Sequence, residues 1–443
     1  MMRLKDISSV LKLHCPEDKM LTGISIDSRQ VKPGNLFFAI RGERFDGQQF
    51  ISDAVVNGAA AIVCCEAVQG IDIPQLIVQD TLKALTSIAT SYRQTLSCDV
   101  IALTGSNGKT TVKEMIAAIL PKPSYATPGN LNNHIGVPLS ILQLQPSHRY
   151  AVFELGANHQ GEIAHTVAIV KPRVALITNI APAHIEGFGS IDGVAKAKGE
   201  IYQGITEHGI AVINDDDHYA HFWDSLLVDR NVVRFSTVKP AEIYAKDITF
   251  DIEGYGAFVL VVPNDDVLIT LKVAGAHNVS NAVAAAACTY ALGVDLSDIA
   301  SGLQAFRGVA GRMTFLKGKN NSLVIDDTYN ANLKSSLTAI DVLAKRQGRR
   351  IFVFGDMAEL GRWSEQHHQE VGEAARRSGI DVLMTCGKHS ESTTKAFGET
   401  GKHYQHQDEL VHDLITQLNA NTTVLVKGSR SSSMEKIVHQ LMG

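Results

Sequence analysis

The chain has no run approaching the roughly 18 uninterrupted apolar residues that a membrane-spanning helix needs. Its start, Met1-Met2-Arg3-Leu4-Lys5-Asp6, lacks the apolar core of a signal peptide, so the expectation is a cytoplasmic protein without stable membrane insertion. Positive charge is not in excess either. The 41 Lys and Arg against 46 Asp and Glu leave a net charge of −5, and a phosphate-backbone binder is usually basic, so nucleic acid is not an expected partner. Cysteine is sparse, and none of Cys15, Cys64, Cys65, Cys98, Cys288 and Cys386 forms a C-x-x-C pair. Buried reduced thiols are expected rather than a metal knuckle or a disulfide frame. Repeats of solenoid length and low-complexity tracts are absent too.

What remains is an ordinary globular composition, 45% apolar and 20% charged over 443 residues, long enough for two to four domains. Three zones are visible. Residues 1–80 hold short apolar runs broken by Gly and Pro, such as Leu36–Ile40, Ala60–Val63 and Gln75–Val78. Helical spacing of Leu82, Leu85, Ile88, Ala89 and Tyr92 predicts a connecting helix over Thr81–Gln94. From Cys98 strands and helices alternate, with strands expected at Val100–Leu103, Ala151–Phe153, Val174–Ile177 and Ile210–Ile213 and helices at Lys109–Leu120 and Gly161–Val170. Runs apolar throughout suit a parallel sheet covered on both faces. Ile243–Val273 is richer in β-type residues and is expected to form a small antiparallel addition.

A third α/β block begins near Gly311, with strands expected at Leu323–Ile325, Ile351–Phe354, Val382–Met384 and Val424–Val426. The fold expected is therefore α/β in three domains. Residues 1–80 would form a small N-terminal α/β domain, 81–310 a central P-loop-type, mostly parallel sheet, and 311–443 a C-terminal Rossmann-like sheet.

The strongest local signal is Thr104-Gly105-Ser106-Asn107-Gly108-Lys109-Thr110-Thr111, following the run Ile101-Ala102-Leu103. A buried strand entering a glycine turn and then a helix presents backbone N–H groups and a positive helix end to phosphate oxygens. Lys109 can reach the outer phosphates and the Thr110 hydroxyl can ligate Mg²⁺. The general phosphate-loop pattern asks for a leading Gly where this chain has Leu103.

Ligands of open parallel sheets sit beyond the carboxyl ends of the strands. Just past those ends come Glu154 and, after Thr178-Asn179, His184, with Lys196 and Lys198 on the next helix. A carboxylate beside a triphosphate is a reasonable ligand for a hard cation. Read singly, a lone Glu after a strand is usually a cap and a lone His is usually a satisfied loop residue. Asp215-Asp216-Asp217 reads as a solvated strand-end turn, His367-His368 as part of an exposed helix, and Asn278–Leu292 as a packing helix stopped by Gly293.

Together these segments resemble the Mur ligases, which build the peptidoglycan stem peptide. The phosphate loop above has that family's form. So do Asn130-Leu131-Asn132-Asn133-His134, Glu154-Leu155-Gly156-Ala157-Asn158-His159, Ala183-His184-Ile185-Glu186-Gly187 and Ala276-His277-Asn278-Val279-Ser280-Asn281. Asp326-Asp327-Thr328-Tyr329-Asn330-Ala331-Asn332, Phe354-Gly355-Asp356-Met357 and Val426-Lys427-Gly428-Ser429-Arg430 extend the resemblance through the third block. After Asn332 the family pattern continues Pro-Asp, whereas this chain has Leu333-Lys334.

The resemblance implies an ATP-dependent amide ligase adding D-alanyl-D-alanine to UDP-N-acetylmuramoyl-tripeptide; a monomer is expected, though no motif decides the oligomeric state. It implies that Gly105, Ser106, Asn107, Gly108, Lys109, Thr110 and Thr111 hold the phosphates. Thr110 and Glu154 would bind one Mg²⁺, His184 a second, and Lys198 would be carbamylated. Asn278 and Asn281 would lie on the adenine side, Arg312 would contact phosphate, and Asp327 the ribose. Ser28 and Arg29 would belong to the uridine site, and Asn132, Asn133, Tyr329 and Asn330 to the substrate side. Two rivals stay open at this point. The sibling ligase adding the third stem residue usually carries an Asp-Asn-Pro-Arg run, which does not occur here. A P-loop ATPase switch without ligase chemistry belongs to another class.

Overall fold

The computed structural model describes residues 2–15, 17–42, 46–182 and 185–442. Its centre is a nine-stranded sheet. From one edge, Ser124–Ala126, Tyr150–Glu154, Asp99–Thr104, Val174–Ile177, Ile210–Asn214, Asn231–Ser236 and Ile243–Phe250 run parallel. Tyr255–Val262 and Asp265–Ala274 then continue it antiparallel, so the addition expected over Ile243–Val273 is antiparallel except where Ile243–Phe250 joins Asn231–Ser236 in parallel.

The strand Asp99–Thr104 shows why its sequence is apolar throughout. Ile101 and Leu103 pack with the helices Lys109–Ile119 and Ala276–Ala291 on one face. Val100 and Ala102 pack with Glu162–Val170 and Ile191–Gln203 on the other. Burying each large aliphatic side chain contributes about 1.5–3 kcal/mol, so neither face tolerates a polar residue.

A six-stranded sheet follows, ordered Thr314–Lys317, Leu323–Asp327, Thr422–Lys427, Arg349–Gly355, Val382–Cys386 and Gly401–Tyr404, antiparallel only at its first pair. At the other end of the chain, Gly23–Ser25, Asn35–Phe38, Ala61–Cys64 and Gln75–Ile77 form a small parallel sheet. The helix Thr81–Gln94 is capped by the Asp80 carboxylate, which accepts from the Leu82 and Lys83 N–H groups. Its Ala84, Leu85 and Ile88 bury against that small sheet, and Leu139 from the helix Gly136–Ile141 joins the same cluster.

One reading is corrected. His367 and His368 do lie on a helix, Ser364–Arg377, but both are buried. His368 Nδ1 donates to the Ser364 carbonyl at 2.7 Å and Nε2 accepts from the Met357 N–H at 3.0 Å, so the neutral ring serves as a polar core link. The Asp215–Asp217 turn is held by its own bonds. Asp215 pairs with Arg234 and Lys239, Asp216 accepts from Ser236 and Thr237, and Asp217 accepts from the Ile180 N–H. All six cysteines are free; Cys64, Cys98, Cys288 and Cys386 are buried, while Cys15 and Cys65 are partly exposed. No helix among the described residues is long and apolar enough to cross a membrane.

Candidate active site

The carboxyl ends of the central and six-stranded sheets face a shared cleft of about 1080 Å³. The phosphate loop forms its floor. Gly108 takes φ +82° as it opens the helix Lys109–Ile119. Gly105 sits against the Thr178 hydroxyl so closely that no Cβ would fit. Neighbouring strand ends fix the rest of the loop. Ser106 N–H donates to the Asn179 carbonyl at 2.9 Å, the Thr178 hydroxyl donates to the Asn107 carbonyl at 2.6 Å, and Ser106 Oγ exchanges hydrogen bonds with Ala181. Lys109 Nζ lies 2.8 Å from the Gly105 carbonyl. Burial pushes its ammonium below the ordinary lysine value against the opposing pull of Glu154, with Arg312 adding to the depression.

Glu154 is 3% exposed. Its Oε1 accepts from Asn132 Nδ2 at 2.8 Å, and its Oε2 is buried with no hydrogen-bond partner. Lys198 is 1% exposed, while Lys196 on the same helix is exposed to solvent. Among the described residues Lys198 makes no hydrogen bond or ion pair; the Phe188 ring lies 5.9 Å from its Nζ. Burial holds its amine well below the usual lysine range, and the charge of Lys109 adds to that. His184 lies outside the described residues.

From the six-stranded unit, Arg312 stacks over the Tyr329 ring at 4.0 Å and its Nη2 reaches Thr110 Oγ1 at 3.4 Å. Its Nε is buried without a partner. Asp327 accepts from the Met313 N–H at 3.2 Å and pairs with Lys427 at 2.5 Å, and Lys427 also donates to the Asn330 carbonyl at 3.0 Å. Asn332 caps the helix Leu333–Ala344 through Oδ1, and its Nδ2 donates to Asn107 Oδ1 in the phosphate loop at 2.8 Å. The departure from Pro-Asp falls at the first two residues of that helix. The asparagine cap starts the helix without proline, half-buried Leu333 packs on the six-stranded unit's core, and Lys334 stands exposed at the cleft.

The other expected residues divide. Asn278 Nδ2 donates to the Ala274 carbonyl at 2.8 Å and its Oδ1 accepts from Asn281 at 3.1 Å, so this pair is bonded mainly within its own helix start. Thr111 and Asn133 line the cleft. Ser28 and Arg29 do not: Ser28 is buried in a turn of the N-terminal unit, and exposed Arg29 holds Asp27 through Nε at 2.9 Å and Nη2 at 2.8 Å. Sequence reasoning gave no role to Asn332, Lys427 or His277. His277 is half-buried at the cleft with its Nδ1 atom buried and partnerless, and only its place before Asn278 in the quoted segment drew notice.

No group of three or more His, Cys, Asp or Glu suited to a metal occurs among the described residues. The partnerless Glu154 oxygen nevertheless fits a hard cation that takes most of its ligands from phosphate and water.

The chain belongs to the Mur ligase family. Residues 103–289 match the Mur ligase middle domain, 311–430 the Mur ligase glutamate ligase domain, and 20–93 the Mur ligase family catalytic domain. It is 45% identical to the UDP-N-acetylmuramoyl-tripeptide–D-alanyl-D-alanine ligase of Escherichia coli K12, over 96% of this chain and 94% of that one. It is 41% identical to the Haemophilus influenzae ligase of the same name, over 97% and 95%. Among solved structures it superposes on MurF of Acinetobacter baumannii with a TM-score of 0.92 at 36% identity, covering 99% and 98% of the two chains. MurF of Thermotoga maritima in complex with ADP gives 0.82 at 29% identity, covering 95% and 96%.

Proposed function

We propose that this chain is the ATP-dependent ligase that joins D-alanyl-D-alanine to UDP-N-acetylmuramoyl-tripeptide in peptidoglycan precursor synthesis. The carrying observation is a phosphate loop facing a carboxylate with one free oxygen, in a cleft shared by two units, in a chain 45% identical over 96% of its length to a ligase of that name. The terminal carboxylate of the tripeptide takes the γ-phosphoryl group of ATP, giving an acyl phosphate and ADP. The dipeptide amine then attacks the acyl carbon, phosphate leaves, and the amide forms.

This chemistry needs positioning and charge neutralisation more than covalent help from the protein. Lys109 and the N–H groups of residues 105–111 hold the outer phosphates, and Arg312 approaches them from the third unit. Asn278 and Asn281 lie on the adenine side and Asp327 at the ribose. Thr110 and Glu154 would hold one Mg²⁺ and His184 a second. Bound Mg²⁺ supplies neutralisation of the phosphate charge during transfer. CO₂ addition to the buried amine of Lys198, with loss of a proton, would give a carbamate whose oxygens suit the same cations. Asn132 and Asn133 stand on the tripeptide side, Tyr329 and Asn330 on the third-unit side, and Ser28 and Arg29 at the distant uridine end.

Units 1–80, 81–310 and 311–443 are the bodies that would open and close, and closure excludes water from an acyl phosphate that hydrolyses readily. One chain supplies every residue of this site, so a monomer suffices, and its nucleotide substrates suit the cytoplasm. The test is ADP formation. It should require both the UDP-tripeptide and D-alanyl-D-alanine; ADP release with neither present would mark an ATPase switch and overturn the reading. Running the assay with diaminopimelate- and lysine-containing tripeptides would identify the third stem residue.

A further inference from the structure

The helix Lys109–Ile119 carries a lysine that the reaction above does not use. Lys113 is fully buried, and a buried ammonium is costly unless its donors are engaged. Its three donors meet the Thr127 carbonyl at 2.7 Å, the Gly129 carbonyl at 3.5 Å and Glu114 Oε1 at 2.8 Å. Those two carbonyls open the segment that grips Glu154. Thr127 Oγ1 accepts from the Glu154 N–H at 3.2 Å, and Thr127 N–H donates to the Val152 carbonyl at 3.0 Å. Three residues beyond Gly129, Asn132 Nδ2 donates to Glu154 Oε1 at 2.8 Å while the Asn132 carbonyl accepts from the Gly156 N–H at 2.8 Å. Glu154 is thus held by backbone and side chain from one short segment, and Lys113 ties down the start of that segment.

We propose that Lys113 is a positioning residue for Glu154, fixing the carboxylate so that Oε1 is occupied by Asn132 and Oε2 is presented to the nucleotide's divalent cation. The proposal rests on the ATP-dependent reading of the cleft. Methionine at 113 would fill the same space but leave the Thr127 and Gly129 carbonyls without a donor. The segment would then shift, and Glu154 would turn with it.

Mn²⁺ is the probe, its binding to the full-length protein with ATP followed by electron paramagnetic resonance. In Lys113→Met the Mn²⁺ affinity should weaken about tenfold, as loss of an outer support commonly does at metal sites. The Mg²⁺ concentration giving half-maximal ADP formation should rise in step, while metal-free ATP binding stays unchanged. Asn132→Ala should show the same phenotype. The double variant should be no weaker than the worse single one, because both act through one carboxylate. Lys113→Arg, which keeps the charge, should restore part of the affinity.

Unchanged Mn²⁺ affinity in a folded Lys113→Met protein, or full additivity in the cycle, would overturn the proposal. Should Lys113→Met not fold, the cycle is run with Lys113→Arg, and additivity there overturns it equally. A wild-type protein releasing ADP without both substrates would sink the ligase reading instead, so the two failures are distinguishable.

Discussion

Lys427 in the third unit lines the cleft and Lys198 in the central unit is buried within reach of the charge of Lys109, yet their surroundings are opposite. Lys427 ends a strand, pairs with Asp327 at 2.5 Å and donates to the Asn330 carbonyl. Lys198 sits buried on a helix, makes no hydrogen bond or ion pair among the described residues, and has the Phe188 ring 5.9 Å from its Nζ. A buried charge that is paired belongs to the architecture, because removing its partner strands the other ion. A buried amine without an ion pair is costly in its charged form, and such perturbed groups cluster at functional sites.

The largest expected effect separates the two directly. Lys198→Ala should lose roughly ten- to a hundredfold of ligase activity, as loss of a metal-site support does, with a smaller fall in melting temperature than Lys427→Met because no buried ion is left unpaired. Acetate should restore part of the rate, and Lys196→Ala, on the exposed side of the helix, should behave as wild type. ¹³C-bicarbonate should give a carbamate resonance that vanishes in Lys198→Ala; a fully active variant at low bicarbonate would end the carbamate idea.

Lys427→Met should fall more heavily on stability, costing about 3–5 kcal/mol in chemical denaturation because the Asp327 carboxylate is left buried alone. Adding Asp327→Leu should recover much of that loss without recovering activity.

A smaller effect tests the contact between units. Asn332→Asp keeps the acceptor that caps the helix Leu333–Ala344 but loses the donor to Asn107. Activity should fall several-fold with little change in stability. Asn332→Ala should lose about 1 kcal/mol besides, read by thermal denaturation.

The smallest effect concerns pH. Burial lowers the His368 imidazole below its ordinary value, with the Ser364 carbonyl and Asp356 opposing that shift. The unfolded chain therefore binds this proton more readily than the folded one. Stability held at neutral pH should be lost as pH falls through the unfolded histidine range near 6.5. The melting temperature should drop by a few degrees between pH 7 and 5, and His368→Gln should flatten the slope.

Much of this was legible locally. The phosphate loop declares itself because strand, glycine turn, lysine and threonine are contiguous, and the central strands because both faces are apolar. Edge strands such as Ser124–Ala126 and Gly401–Tyr404 escaped because they are short and only partly buried. His367 and His368 misled because the helix Ser364–Arg377 is polar at most positions; His368 enters the core as a hydrogen-bonding ring, and His367 stacks on the Trp363 ring. The support of Glu154 by Lys113 was hidden because a helical lysine usually faces solvent. The Asn332–Asn107 bond joins residues 225 positions apart. Spacing along the chain cannot reveal such a contact; the packing of the two units does.

The Asn332 side chain has a further consequence. One end of its amide starts a helix, and the other end fastens that helix to the nucleotide loop. A ligase must release its product once per turnover, so whatever fastens the cleft has to let go thousands of times without wear. Were the third unit to swing away, Asn332 would lose only its Nδ2 bond. Oδ1 still holds the first turn of the helix, and the latch leaves intact, ready to fasten on the next round.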